Sequence, residues 1–576
     1  MIKNNFFLPF VAGITTAIFI IFNFTALHFV GPYGWDDGAI TLAYSKTFAE
    51  TGRFALTASS ETVEGTSSLL FTFLMVILHL ILDFDFNGFI HASQVVAYIF
   101  LVAILLLMYP VIKNGVGNSI RAIAILAVFA LLPMFSAEIF NGMEMTLFGF
   151  LITLYYLKFY RNLVWIFVLT PLILLIRFES IFYLGLTLSL IFIVEEKKSR
   201  TLTIGLYTIF IFSILTLFRG IYFDDVLPNT IWAKMQPPYS SEDNVRKILH
   251  KIYGGYEFIK VTFWLFLPLI VIFLIRFKGS VRNYIGYFLV LSFVLFSFMA
   301  GKNLGYDGRM FLACIPIMLI LLARYSVELP GEKIKIIFAP SISQITIDYK
   351  SLTFYVLLFA VVFSHIINFK LHLINIGTVI AGGYYQNMFP SNFKQSIENQ
   401  FLRNNPQFKI SSGVTPENIR VTAVAVDEIR KVLNIDKISF MVPDVGGLGL
   451  CCSQIEVIDS ALLTNKKLAK HGYKIFDEYL LMQSPDVIET HGVWSDISKI
   501  HDSSYFQMNY LPIVFNNNLL WIRSDLYQAL NSVNSLVVVN LSLSQDLGMV
   551  RHAHDEVNLT NLKKRQLSVI RSYQSL

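Results

Sequence analysis

The sequence predicts a polytopic α-helical membrane protein with about eleven or more transmembrane helices, followed by a C-terminal α/β domain. Composition is the first observation behind this prediction. The 576 residues include 85 aromatic side chains and only 84 charged ones. Charged residues make up 15% of the chain, against roughly 25% in soluble proteins, and the mean hydropathy is +0.60. These values exclude a disordered chain and an ordinary cytosolic enzyme.

Long apolar runs are the second observation, because a spanning helix needs roughly 20 apolar residues. Such runs lie near residues 8–30, 89–110, 121–138, 143–158, 162–176, 180–194, 201–218, 259–275, 283–300, 309–323 and 351–369. The run 67–82 is shorter and is followed by Asp83 and Asp85, so we predict a juxtamembrane or re-entrant segment there. Lys3 precedes the first run and no small-residue cleavage site follows it, which indicates an anchor and not a cleaved signal peptide.

The distribution of charge is the third observation, and it orients the chain. If the N-terminus is cytoplasmic, the inner loops hold 15 basic and 5 acidic residues, an excess of +10, and the rest of residues 1–370 sums to −4. Basic inner loops are the normal topology of membrane proteins. We therefore expect a multi-pass protein of the bacterial cytoplasmic membrane, with residues 1–370 as the transmembrane domain and residues 371–576 outside the cytosol.

The C-terminal domain has the sequence pattern of a mixed α/β unit. We expect strands at Ile438–Val442 and Leu536–Leu541 and an amphipathic helix at Glu417–Leu433. Its 18 basic and 18 acidic residues cancel, so no nucleic-acid partner is expected, because nucleic acid requires a basic surface. Three cysteines are too few for a disulfide framework, and the neighbours Cys451 and Cys452 are expected to be buried small residues.

The first outer loop, residues 31–66, carries the adjacent carboxylates Asp36 and Asp37 and ends with Glu64 in a Val-Glu-Gly-Thr-Ser string. Two neighbouring acids can divide the roles of base and orienting partner. The structural alternative is a helix N-terminus, where the helix dipole favours acidic side chains.

The other outer loops add further acids and cations. Arg177 and Glu179 form a charged pair between apolar runs, for which a structural ion pair is the alternative reading. The remaining strings are Asn141–Met145 with Glu144, Asp224–Lys234 with Asn229, and the glycine-rich Gly301–Leu312 with Lys302 and Arg309. Carboxylates and cations beside a phenylalanine-rich wall suit a donor whose lipid tail stays in the bilayer while its phosphate and sugar reach the outer surface.

Taken together and in this order, these strings resemble the polyprenyl-phosphate-sugar-dependent GT-C glycosyltransferases, nearest to the arabinofuranosyltransferase-like branch. The matching strings are Asp36-Asp37 with Tyr44, Val63–Ser67, Gly142–Glu144, Leu227–Thr230 with Ala233-Lys234, Gly301–Leu312, Pro443–Gly447, Val457–Leu463 and Pro485–Ile488. The family's Arg-Pro-Glu-Gly string stands here as Arg177-Phe178-Glu179-Ser180, so the charged pair is kept without the proline and glycine.

The resemblance implies a GT-C-like fold and an inverting glycosyltransferase that moves one sugar from a polyprenyl phosphate to a hydroxyl of a cell-envelope glycan, glycolipid or protein. It assigns the base to Asp36, with Asp37 as second choice or orienting partner, and an acceptor-holding or tuning role to Glu144. The residues expected to bind the donor phosphate or sugar are Arg309, Lys302, Arg177, Lys234, Glu64 and Asn229. No cofactor is certain: the carboxylates leave a divalent cation open, while no histidine or cysteine cluster argues for one.

Two other functions fit the same hydropathy. A polymerase or ligase of surface polysaccharide also works through outer loops, although the motif order favours the single-sugar transferase. A transporter of lipid-linked glycans should carry ionisable residues in the middle of its spans, whereas nearly all charges here lie at span ends.

Overall fold

The computed structural model describes residues 36–196, 198–237, 239–240, 243–275, 281–301, 309–327, 334–336, 345–347, 349–367, 416–490, 492–515, 518–530 and 537–538. This part of the chain is mostly helical, with a small sheet near the C-terminus. The predicted first span and the predicted site residue Lys302 lie outside the described residues.

The N-terminal part is mostly helical. Its helices are α1 (Asp36–Thr51), α2 (Leu69–Leu82), α3 (Phe86–Val116), α4 (Ser119–Ala130), α5 (Pro133–Asn141), α6 (Met145–Lys158), α7 (Leu163–Ile176), α8 (Ser180–Val194), α9 (Ser199–Tyr222), α10 (Asn229–Lys234), α11 (Asn244–Ile275), α12 (Val281–Ala300), α13 (Ile315–Val327) and α14 (Tyr349–Ile367). A 3-10 turn at Arg309–Phe311 precedes α13, and a two-stranded hairpin, β1 (Ile334–Ile336) with β2 (Ile345–Ile347), precedes α14.

Every predicted apolar run that falls among the described residues is helical over most of its length, with two corrections. The run 309–323 begins with the 3-10 turn Arg309–Phe311 and is α-helical only from Ile315. The run 121–138 is not one helix: it breaks between α4 and α5 at Leu131 and Leu132, directly before Pro133. Proline lacks the N–H of a helical hydrogen bond and disfavours helical backbone in the residue before it, and Leu132 is extended at ψ 129°. The run 259–275 is also only the second half of the longer α11.

Two described helices, α3 and α9, are long and apolar enough to cross a membrane by length and composition. Their 31 and 24 residues correspond to about 46 and 36 Å at 1.5 Å per residue, against a hydrocarbon core of about 30 Å. The other apolar helices are shorter, so the number of spans and their orientation stay predictions. With 14 residues, α2 reaches about 21 Å, the same length as the predicted spans α6 and α7, so the juxtamembrane placement of 67–82 also stays a prediction.

The C-terminal part, residues 416–538 as far as they are described, is a mixed α/β unit. Its elements are α15 (Pro416–Leu433), β3 (Ile438–Val442), α16 (Gly446–Cys451), β4 (Ile455–Asp459), α17 (Lys466–His471), α18 (Phe476–Gln483), β5 (Val487–Ile488), α19 (Gly492–Ser498), α20 (Ser504–Asn509), β6 (Tyr510–Phe515), β7 (Asn518–Arg523), α21 (Ser524–Leu530) and β8 (Val537–Val538). The strand order is β4-β3-β5-β7-β6-β8, parallel at β4-β3-β5 and antiparallel beyond.

The sequence predictions for this unit hold where they can be compared. The expected helix and the strand Ile438–Val442 are confirmed as α15 and β3. Only Val537 and Val538 of the strand expected at Leu536–Leu541 are described, and they form β8. Cys451 and Cys452 are joined by a disulfide, a bond that their adjacent spacing had not indicated.

The C-terminal unit packs directly on the helical part. Helix α1 lies against both α2 and α16, and α10 lies against α17. One hydrophobic cluster contains Ile40 and Ala43 of α1 together with Phe440 and Leu448 of the C-terminal unit. A second cluster takes Ala233 of α10 into the C-terminal core. The two parts therefore share their cores, although the sequence had been divided at residue 370.

Close approach at Gly446 provides a test of this docking. A Cβ atom at Gly446 would lie 2.2 Å from the carbonyl oxygen of Asp36 and 2.7 Å from the backbone nitrogen of Ile40. We expect Gly446→Ala to push α16 away from α1 and to destabilise the protein by about 1–3 kcal/mol, measured by thermal unfolding and by proteolytic release of the C-terminal unit.

The matched control is Gly205→Ala in α9, where a Cβ would meet no atom within 4 Å. This variant should be unchanged or slightly stabilised, since alanine is the better helix former. Equal loss of stability in both variants would contradict the docking contact.

Candidate active site

A cavity of about 240 Å³ lies where the loops predicted to face the outside meet the C-terminal unit. Its walls come from distant parts of the chain that the sequence had assigned to the same side of the membrane. The lining residues are Asp37, Ile40, Thr41, Gly65, Thr66, Ser67, Met143, Arg177, Thr230, Lys234, Tyr239, Arg309, Met310 and Leu463. The structure thus brings four of the nine predicted site residues into the cavity wall.

The two adjacent aspartates have different surroundings. They occupy the first turn of α1, as the helix-terminus reading of the sequence expected. Consecutive residues on a helix point about 100° apart, since one turn takes 3.6 residues. Asp37 is accessible from the cavity, although surrounding residues still desolvate its carboxyl, whereas Asp36 is 2% exposed and lies against the C-terminal unit.

Both carboxylate oxygens of Asp36 are occupied. They accept hydrogen bonds from the backbone N–H groups of Gly446, at 2.6 Å, and of Gly447, at 2.7 Å, the first residues of α16. Burial and the nearby Asp444 carboxylate raise the pKa of Asp36 to about 8, although the two N–H groups act in the opposite direction. Asp36 therefore joins α1 to the C-terminal unit and does not line the cavity.

Asp37 has no hydrogen-bond or ion-pair partner within the described part of the chain. Desolvation raises the pKa of its carboxyl above the ordinary value of 3.8, and Arg309 and Lys234 only partly offset this effect. An available carboxylate with a raised pKa is suited to take a proton from a hydroxyl group.

The cavity arginines are held by buried carboxylates. Arg177 donates from Nε to Glu179 at 2.8 Å and contacts Glu144 at 2.5 Å, and Arg309 lies 3.2 Å from the same Glu144 carboxylate. Glu138 lies 3.4 Å from Arg309 and accepts the backbone N–H of Met145 at 2.8 Å. Glu144 is fully buried and does not line the cavity, so it positions the two guanidinium groups from behind.

Lys234, the last residue of α10, is the cavity cation without an ion-pair partner among the described residues. Desolvation and the nearby Arg177 lower the pKa of its ammonium group below 10.5. A desolvated ammonium without a counter-ion gains free energy from a bound anion such as a phosphate.

Glu64 and Asn229 do not line the cavity either. Glu64 is buried in a two-point ion pair with Arg219 of α9, with distances of 2.7 and 3.1 Å. Asn229 donates from Nδ2 to the carbonyl oxygens of Leu462 at 3.0 Å and Leu463 at 2.8 Å. Both residues connect the cavity wall to neighbouring elements.

Several residues of the site had not been singled out from the sequence. Arg219 carried a usable signal, because an arginine in the last turn of an apolar helix usually has a buried partner. Leu463 belongs to a string that had been noted only for its resemblance. Tyr239 and Met310 carry no local signal, since a lone aromatic or methionine beside apolar runs is ordinary.

No group of three or more histidine, cysteine, aspartate or glutamate side chains that could hold a metal ion occurs among the described residues. The divalent cation that the sequence left open therefore gains no ligand set from this part of the chain.

Comparison with known families and with curated proteins finds no match to this chain. The resemblance to GT-C glycosyltransferases therefore stays an interpretation that rests on the motifs.

The different surroundings of the two aspartates give a stability test. We expect Asp36→Asn to destabilise the protein by about 1–3 kcal/mol, because the amide group cannot accept both backbone N–H bonds and leaves one buried donor unsatisfied. Asp37→Asn should change the free energy of unfolding by less than about 0.5 kcal/mol, the usual size at a position without partners. Thermal unfolding in detergent measures both variants, and the reverse order would refute this assignment.

Proposed function

We propose that the protein transfers one sugar from a polyprenyl-phosphate donor to an acceptor hydroxyl on the outer face of the bacterial cytoplasmic membrane, as a GT-C-like enzyme. The proposal rests mainly on one observation. A single cavity unites Asp37 and Lys234, which have no ion-pair partner among the described residues, with the guanidinium groups of Arg177 and Arg309.

The cavity joins loops that the charge pattern groups together. Its residues before position 370 belong to the five predicted outer loops, or to the ends of the helices beside them. The assignment of this group to the outer face rests on the basic excess of the other loops. An outer-face cavity lets the lipid of a donor remain in the bilayer.

Asp37 is the base in this proposal, in place of Asp36. The carboxylate takes the proton from the acceptor hydroxyl while the hydroxyl oxygen forms a bond to the anomeric carbon of the sugar. The bond between that carbon and the phosphate oxygen breaks, and its electron pair leaves with the lipid phosphate. Attack from the face opposite the leaving group inverts the anomeric configuration.

The cations stabilise the departing phosphate. The leaving group gains negative charge in the transition state, and cations fixed in advance at that point lower the barrier. Arg177 and Arg309 are already balanced by Glu144 and its neighbouring carboxylates. Lys234 has no direct ion pair among the described residues, so in this proposal its ammonium group binds the phosphate, and the arginines supply directed N–H groups.

Asp37→Asn tests the base. We expect transfer to fall by about 100- to 10,000-fold, the usual contribution of a general base, while the folded protein remains in the membrane. The assay supplies defined polyprenyl-phosphate sugars and measures released lipid phosphate together with glycosylated product.

The matched control is Glu50→Gln, the same chemical change at an exposed position of α1. Its activity should equal that of the wild type.

Movement of the lipid-linked substrate across the bilayer without phosphate release would favour the transporter. Consumption only of oligosaccharide linked to the lipid through a diphosphate would favour the polymerase or ligase. Normal transfer by the Asp37→Asn variant would exclude Asp37 as the base.

The pH profile tests the base and the cation together. Asp37 must be ionised, so kcat/KM should fall as pH drops through a pKa that lies above 3.8. Lys234 must be charged, so kcat/KM should also fall as pH rises through a pKa below 10.5. Lys234→Arg keeps the charge at all accessible pH values and should move the alkaline limb out of range. An alkaline limb that stays in place in this variant would exclude Lys234 as its origin.

A further inference from the structure

The turn that follows β4 brings the C-terminal unit into the cavity wall. Strand β4 ends at Asp459 and α17 begins at Lys466. Between them, Leu463 is half-buried, and among the described residues it is the one cavity-lining side chain from the C-terminal unit. We call residues 459–465 the Asp459 turn.

The Asp459 turn is strained at the residue before Leu463. Leu462 has φ +77°, a left-handed backbone that costs a bulky residue on the order of 1–3 kcal/mol. Its side chain is fully buried in the second hydrophobic cluster, so packing helps to fix the unusual conformation. Backbone strain of this kind is concentrated at functional sites, where the surrounding structure determines the conformation.

A buried carboxylate supports the strained backbone from inside the turn. Asp459 accepts hydrogen bonds from the backbone N–H groups of Ala461 and Thr464, both at 2.6 Å, and from the Thr464 hydroxyl at 3.0 Å. The turn therefore has a fixed shape and presents Leu463 in one position.

Asn229 connects the Asp459 turn to the cation of the site. Its 3%-exposed side chain donates to the carbonyl oxygens of Leu462 and Leu463. Asn229 begins α10 and Lys234 ends it, and Ala233 of this helix packs in the same cluster as Leu462. Leu463 and Lys234 therefore share one rigid support.

The size of the cavity indicates what Leu463 contacts. A volume of about 240 Å³ is below the roughly 300–1,000 Å³ of sites that enclose drug-sized ligands. It has room for one sugar. Leu463 is an apolar part of the wall, and at an apolar contact one methylene group of wall or ligand changes discrimination by about 10- to 200-fold.

We infer that Leu463 contacts the sugar of the donor and determines which sugar is accepted, and that Asn229 is a positioning residue that holds the Asp459 turn beside Lys234. This inference rests on the proposed transferase activity and names the part of the site that selects its substrate.

Leu463→Ala tests the inference with two donors, a polyprenyl-phosphate pentofuranose and a polyprenyl-phosphate hexopyranose. Removing three carbon atoms from the wall should raise the kcat/KM ratio of the larger to the smaller sugar by about 10-fold or more. Asn229→Ala should change the same ratio, because the turn loses two hydrogen bonds. A purely structural role would lower kcat/KM equally for both donors.

The matched control is Leu481→Ala, the same truncation at a position on α18 that is 57% exposed, and it should leave the ratio unchanged. If the wild type is active and the Leu463→Ala variant has the same sugar preference, this inference is overturned and the proposed function is not. A wild type that transfers neither sugar overturns the inference together with the proposed function.

Discussion

The bond between the Asp36 carboxylate and the first two N–H groups of α16 is the contact on which the site depends. Helix N-termini have unpaired N–H groups that favour an anion, and here the anion comes from a residue 410 positions earlier in the chain. Glycines 446 and 447 have no side chains that would prevent the approach of α1. This contact places the first outer loop against the C-terminal unit and leaves the next residue, Asp37, at the cavity.

Adjacent aspartates thus acquire separate roles through helix geometry. A helical turn of 3.6 residues directs neighbouring side chains to different environments, so one carboxyl enters a dry contact and the other enters the cavity. Asp36 therefore has a structural contact, and Asp37 is the member of the pair that faces the cavity.

Buried ion pairs organise the rest of the cavity. Glu144 faces both Arg177 and Arg309, and each charge would be costly to bury alone. The carboxylates hold the guanidinium groups in place and offset their charge, whereas Lys234 has no ion-pair partner among the described residues. The C-terminal unit supports the same lysine through Asn229 and α10, so it is part of the cavity wall.

Hydropathy and charge are local properties of the chain, and they are enough to predict the helical runs, strand β3, helix α15 and the set of loops that carry charged residues. Pro133 is visible in the same way, yet the apolar run 121–138 continues through it in the hydropathy pattern. The folded chain alone sets which aspartate faces the cavity, pairs Glu64 and Glu144 with arginines, and makes Leu463 part of the wall. Those outcomes depend on contacts between residues up to several hundred positions apart, and a partner at that distance leaves no trace in the local pattern of either residue.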